Sequence, residues 1–262
     1  MSLSTLLLAF AIGQPSAAEP AAPLALHPDN PRYFLFRGKP AFLITSGEHY
    51  GAVLNRDFDY LPYLDELAAR GFNLTRVFSG TYREVPGSFG IRGNTLAPKP
   101  DSYLCPWART EAPGAGDGGR FDLRAWDPEY FARLKDFMTQ AGKRGIVAEL
   151  VFFCTLYDDQ LWAVNPMNPR NNVQGLGPAS RLEVYSGKDQ ALTAAQEALV
   201  RKLVTELNAF DNVYYEICNE PYERAGHTRE WNDRMVAAIV AAETSLPAKH
   251  LIAQGIAVRS AK

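Results

Sequence analysis

Cysteine is scarce in this 262-residue chain, with Cys105, Cys154 and Cys218 the only three. An odd number at wide spacing makes neither a disulfide framework nor a zinc pattern. One bridge is open to the sequence, between Cys154 and Cys218 at the ends of consecutive strands, but buried free thiols are the expectation. Histidine is also sparse: His27, His49, His227 and His250 are scattered, and no pair has metal-ligand spacing. No bound metal is expected. Basic excess is missing too, since 27 Lys and Arg face 29 Asp and Glu for a net charge of −2. A nucleic-acid partner would need a basic face. No block of like charge marks an interaction tail, and nothing points to an obligate protein partner. A phosphate-cradling turn is absent as well. The first strand is followed by SGEHY, with one glycine, and the run PGAGDGG (113–119) has no strand before it. A dinucleotide-binding sheet would show a Gly-rich turn after its first strand, so no cofactor is expected.

What is present is a hydrophobic content of 47%, enough for one large core or two small ones. The N-terminus, MSLSTLLLAFAIGQPSAAEP, carries an apolar stretch followed by small residues, with Ser16 and Ala18 at the −3 and −1 spacing of a signal-peptide cleavage site. The stretch falls short of the roughly 18 apolar residues of a membrane span. Residues 1–18 are therefore expected to be a signal peptide, 19–30 a Pro/Ala-rich linker and 31–262 the folded part. The mature protein would be secreted or periplasmic, with no membrane association after cleavage.

Along the folded part, strand and helix signals alternate. YFLFRGKPAFLIT reads as a short strand, a turn at Gly38-Lys39-Pro40 and a buried first strand. DFDYLPYLDELAARG is a helix with Asp57 near its start and Gly71 at its end. FNLTRVFSG is the second strand, and residues 81 to 125 read as a long loop. WDPEYFARLKDFMTQAGKRG is a helix with Asp127 as N-cap and Pro128 in its first turn. IVAELVFF, NVYYEICNEP and HLIAQGIA are the third, fourth and fifth strands, separated by helices over 190–210 and 229–244. Such alternation predicts parallel strands covered by helices. The fold class is therefore α/β. A (β/α)₈ TIM barrel is favoured over a doubly wound sheet by the long loops after strands two and three, and about its first five βα units are present.

Barrel sites gather at the C-terminal strand ends. The first such end carries Glu48 and His49, the second strand carries Arg76, and Tyr157 and Trp162 lie beyond the third. Asn219 and Glu220 close the fourth. Aromatics beside hydrogen-bonding groups suit a sugar, which has apolar ring faces and hydroxyl edges. Arg76 is open to a second reading as one side of a buried ion pair. Trp162 is open to one as a hydrophobic lid. Glu149 and Glu216 sit inside strands and read as hydrogen-bonded core groups, and Asp158 and Asp159 as a solvated turn. Glu220 stands apart, because Pro221 has no N–H and ends the ladder beside it. A carboxyl at a partly apolar rim keeps its proton more readily, as a general acid near neutral pH must.

Asn219-Glu220-Pro221 at the end of the fourth strand resembles the signature of the clan A retaining glycoside hydrolases, (β/α)₈ barrels that include the cellulase-like family five. The arginine of RVF on strand two and the stretch RFDLRAWDPEYFARLKDFMTQAGKRGI are similar too, and the resemblance covers about residues 30 to 257. It implies that Glu220 is the general acid/base of a retaining hydrolysis of an O-glycosidic bond, with a β-linked poly- or oligosaccharide as substrate. Asn219 would bind the sugar 2-hydroxyl and Arg76 would orient the second carboxylate. Tyr157 and Trp162 would stack on sugar rings. In the clan the nucleophilic glutamate lies on strand seven, beyond the five strands counted here. The chain is thus expected to be a C-terminally truncated, inactive piece whose nucleophile lies past residue 262, with Glu48 the one rim acid that could substitute. Phe153-Cys154 stand where family five commonly has a histidine. The alternative is a non-catalytic carbohydrate-binding protein on an incomplete barrel.

Overall fold

The computed structural model describes residues 22–45, 49–114 and 118–255. The expected signal peptide and Glu48 lie outside the described residues. The first elements are short strands β1 (Ala25–Leu26), β2 (Phe34–Phe36) and β3 (Lys39–Ala41), paired antiparallel in that order. The turn between β2 and β3 is Arg37-Gly38, with φ 50° and 75°, rather than Gly38-Lys39-Pro40. Two positive φ angles match the twist of a two-residue hairpin loop. Glycine adopts them freely, and Arg37 is held there by Asp211, which accepts from Nε at 2.6 Å and Nη2 at 2.9 Å. Residues 22–30 are not a free linker. Leu24 is buried against Leu74 and Val147, and its N–H donates to the Asp211 carbonyl at 3.0 Å.

The remaining elements follow in chain order. Helix α1 (Tyr60–Ala69) leads to β4 (Leu74–Phe78), and the hairpin β5 (Trp107–Pro113) and β6 (Gly119–Trp126) leads to α2 (Pro128–Lys143). Then come β7 (Val147–Cys154), the short α3 (Asp159–Ala163), α4 (Gln190–Leu207), β8 (Val213–Asn219), α5 (Arg229–Thr244) and β9 (Ile252–Ala253). Each main helix starts at a residue whose side chain accepts from the first-turn amides: Asp59, Asp127, Asp189 and Thr228. For α1 that cap, Asp59, lies two residues past Asp57.

β4, β7, β8 and β9 form one parallel sheet in that spatial order. Order in space follows order in sequence, so every crossover advances the same way. A doubly wound sheet would reverse direction at a switch point; steady advance is how a barrel is wound. The described strands make an open sheet rather than a closed barrel. Every residue of β7 is buried, as a parallel strand covered on both faces should be. Leu134, Phe137 and Met138 of α2, Leu199 and Leu203 of α4, and Met235 and Ile239 of α5 complete the main core. Each such side chain contributes about 1.5–3 kcal/mol when fully buried.

Two expectations fail here for physical reasons. The first parallel strand, over Phe42–Thr45, is not formed as a strand: Phe42 and Ile44 are more than half exposed. The Asn73 side chain takes the place of a ladder there, accepting from the Ile44 N–H at 2.8 Å and donating to the Phe42 carbonyl at 2.6 Å. The supposed loop 81–125 contains the β5–β6 hairpin, in which Phe121 and Leu123 are buried and Arg124 is exposed. That period-two alternation is the strand signal, and the flanking glycines obscure it. The open Cys154–Cys218 pairing is also settled. Cys154 pairs in register with Asn219, and Cys218 with Phe153, and both thiols are free and buried.

Candidate active site

The C-terminal ends of β4, β7 and β8 open into a cleft of about 340 Å³. Arg76, Asn219 and Glu220 form its polar floor, with Cys154 and Tyr157 beside them. Tyr50, Phe78, Tyr82 and Phe89 supply aromatic walls, and Glu84 a second carboxylate. Tyr50 lies flat on Phe78, with ring centroids 5.0 Å apart and planes 5° from parallel. The Arg76 guanidinium sits 5.4 Å over the Tyr50 ring.

Glu220 follows directly on β8 with φ 50°. Left-handed backbone costs a non-glycine residue about 1–2 kcal/mol. It turns the exposed carboxyl toward the cleft, where the Tyr157 hydroxyl donates to Oε2 at 2.7 Å. Burial, and then the nearby Cys154, push the Tyr157 phenol well above its ordinary range. It remains a proton-bearing donor at neutral pH. Asn219 Nδ2 donates to the same Tyr157 oxygen at 3.1 Å, and its Oδ1 accepts from Arg76 Nη2 at 3.2 Å.

Arg76 ties the floor to the sheet interior. Its Nη2 pairs with Glu216, and its Nε lies 2.7 Å from Glu149 Oε2 in an approach too oblique for a hydrogen bond. Burial works against the guanidinium charge, but Glu216 and then Glu149 outweigh it and hold the group above its ordinary value. For Glu149, burial raises the pKa, Arg76 pulls it back and Glu216 raises it further, to about 7. Burial, the largest influence, thus holds the Glu149 carboxyl above its ordinary value even beside Arg76. Both sequence readings of Arg76 have a place here: it closes a buried ion network and also reaches the cleft.

The structure separates the other candidates. Asn219, Arg76 and Tyr157 join Glu220 in the cleft. Tyr157 stands there as a donor to the carboxyl, with its ring edge-on to Tyr82 and Phe89. His49 does not line the cleft; its ring packs on Phe58 and Tyr63 at 4.6 and 4.8 Å. Trp162, expected to stack on sugars, is 6% exposed within the main core. Asp158 caps α3. Glu84 escaped the sequence reading although it lies six residues past β4. Its carboxylate accepts from the Tyr82 hydroxyl at 3.0 Å and from Asn94 Nδ2. Among the described residues no group of His, Cys, Asp and Glu could hold a metal ion, and no helix is long and apolar enough to cross a membrane.

Behind the cleft lies His227, buried against Tyr185, Trp231, Thr155 and Cys218. Burial lowers its pKa from the ordinary 6.5 to about 4. Between those values the unfolded chain binds a proton that the native chain refuses. Stability therefore falls as pH drops from 6.5 to about 4 and is unaffected above 6.5. The effect amounts to about 3 kcal/mol at most. Urea unfolding of wild type and His227→Gln at pH 7.5 and 4.5 checks this: the wild type is expected to lose more stability on acidification. Equal losses would contradict it.

No protein-family model matches the chain, and no curated protein sequence matches it. Solved structures do match. A protein assigned as a glycoside hydrolase from Bacteroides vulgatus superposes with TM-score 0.58 at 13% identity, covering 91% of this chain and 39% of that one. A glycoside hydrolase family 5 mannosidase from Rhizomucor miehei gives 0.53 at 14%, covering 91% and 57%. A glycoside hydrolase family 5 protein from Bacteroides vulgatus gives 0.50 at 14%, covering 88% and 38%. This chain therefore spans less than two thirds of the length of these structures. Identity this low speaks for the fold alone, and the fold is α/β with a parallel sheet, like that of the family 5 glycoside hydrolases.

Proposed function

We propose that the chain carries the acid/base half of a retaining glycosidase that acts on a β-linked poly- or oligosaccharide. The observation that carries this is Glu220 at the end of β8, turned into an aromatic-walled cleft and held by the Tyr157 hydroxyl. In its protonated form Glu220 gives a proton to the glycosidic oxygen as the bond to the anomeric carbon breaks. Ionised, it then takes a proton from the water that releases the sugar. Asn219 Nδ2, which now donates to Tyr157 Oη at 3.1 Å and Cys154 Sγ at 3.5 Å, would exchange one of these partners for a sugar hydroxyl. Arg76 holds Asn219 from below. The first displacement needs a second carboxylate about 5–5.5 Å from Glu220. By the clan resemblance it would come from a strand later than β9. Export to a secreted or periplasmic location belongs to the same proposal.

A non-catalytic carbohydrate-binding role is the second reading. Its support is that Glu84, the other carboxylate lining the cleft, already has both oxygens engaged by Tyr82 and Asn94. The experiment follows an aryl β-glycoside with the complete protein by proton NMR. Release of the β-anomer first is expected. Release of the α-anomer would overturn the retaining mechanism, and binding without release would favour the second reading.

A further inference from the structure

We propose that Thr155 and His227 are positioning residues that lock the Glu220 backbone, a role that rests on the reading of Glu220 as the acid/base. Nothing intrinsic to glutamate favours φ 50°, so neighbours must impose it. Thr155 grips the chain on both sides of the bend. Its N–H donates to the Asn219 carbonyl at 3.2 Å, and its hydroxyl donates to the Glu220 carbonyl. The same carbonyl accepts from the Tyr222 N–H at 2.8 Å. Thr155 is itself 1% exposed, so water does not compete for these bonds.

A hydroxyl has one proton. Thr155 spends it on a carbonyl, which can only accept. Its remaining neighbour, His227 Nε2 at 2.9 Å, must therefore be the donor. That fixes the neutral tautomer with the proton on Nε2 and leaves the Nδ1 lone pair facing Cys218 Sγ at 3.9 Å. Stacking on Tyr185, with centroids 4.6 Å apart and planes 24° from parallel, holds the ring in place. Tyr185 is anchored in turn by its hydroxyl on the Cys154 carbonyl at 3.0 Å. The hydrogen bonds run in one direction, from His227 through Thr155 to the Glu220 peptide. Neither residue lines the Glu220 cleft, so both act through Glu220.

Thr155→Val keeps the shape and removes the hydroxyl. With an unactivated aryl glycoside and the complete protein, kcat is expected to fall about 10- to 100-fold with KM nearly unchanged, as for a displaced catalytic group. Thr155→Ser restores it. Nitrogen-15 NMR of the His227 ring is expected to show the proton on Nε2 in wild type and Thr155→Ser, and a mixture of tautomers in Thr155→Val. Should Thr155→Val not fold, His227→Asn, whose amide reaches only the Nδ1 position, is expected to give the same kcat loss. A proton on Nδ1 in the wild type, a loss confined to KM, or no rescue by serine would overturn the proposal. The NMR result needs no turnover. A wild type without hydrolysis but with the expected tautomer would refute the glycosidase reading and leave the lock standing.

Discussion

Glu220→Gln is expected to lower kcat/KM, which reports the bond-breaking step, about 10²- to 10⁴-fold on an unactivated alkyl or phenyl glycoside, and far less on a dinitrophenyl glycoside. The asymmetry follows from what the carboxyl does. A poorly stabilised alkoxide cannot depart without a proton, so its loss removes the general acid from the transition state. Dinitrophenolate departs unaided, and bond breaking to it no longer depends on Glu220. Glutamine keeps the size and one acceptor oxygen, so the Tyr157 hydroxyl retains a partner and the cleft keeps its shape. Steady-state kinetics on a leaving-group series checks this. Equal losses across the series, or none, would mean that the residue shapes the cleft and transfers no proton.

Arg76→Met has the largest expected effect on stability. The guanidinium is the cation shared by Glu149 and Glu216, whose side chains are 11% and 12% exposed. Removing one partner of a buried ion network costs about 3–5 kcal/mol, because charge is left unpaired in a low dielectric. The loss depends on pH in a defined direction. Without the cation Glu149 holds its proton more tightly in the native state, adding to the upward push that burial already gives it beside Arg76. A carboxyl whose native pKa is raised favours folding below its unfolded value near 4.5 and loses that contribution as pH rises through the native value. Chemical denaturation is therefore expected to show the full deficit at pH 8 and a much smaller one at pH 5. A deficit that is independent of pH would point to lost packing of the arginine stem instead.

The parallel core was legible because its signals are local. The apolar runs of β7 and β8 lie where expected within a residue or two. Asp127 before Pro128 announced the start of α2, and Pro221 marked the end of β8 beside Glu220. What stayed hidden depends on contacts made across the chain. Nothing around Phe42 indicates that the Asn73 side chain, 31 residues away, will take the backbone bonds of a strand. His49 and Trp162 have the residue types of a sugar site, but packing turns one onto Phe58 and buries the other. Glu84 entered the cleft because Asn94 and Tyr82 hold it there. The Thr155–His227 pair is invisible in sequence for the same reason, since 72 residues separate its members.

The proton-donor role of Glu220 meets its most direct test in a crystal structure of the Glu220→Gln protein with an unhydrolysed oligosaccharide. The expected result is a glycosidic oxygen about 2.6–3.2 Å from the substituted side chain, with the ring on its non-reducing side against the cleft aromatics and a hydroxyl in reach of Asn219. An oligosaccharide bound with every glycosidic oxygen beyond about 5 Å of residue 220, outside the reach of direct proton transfer, would contradict it.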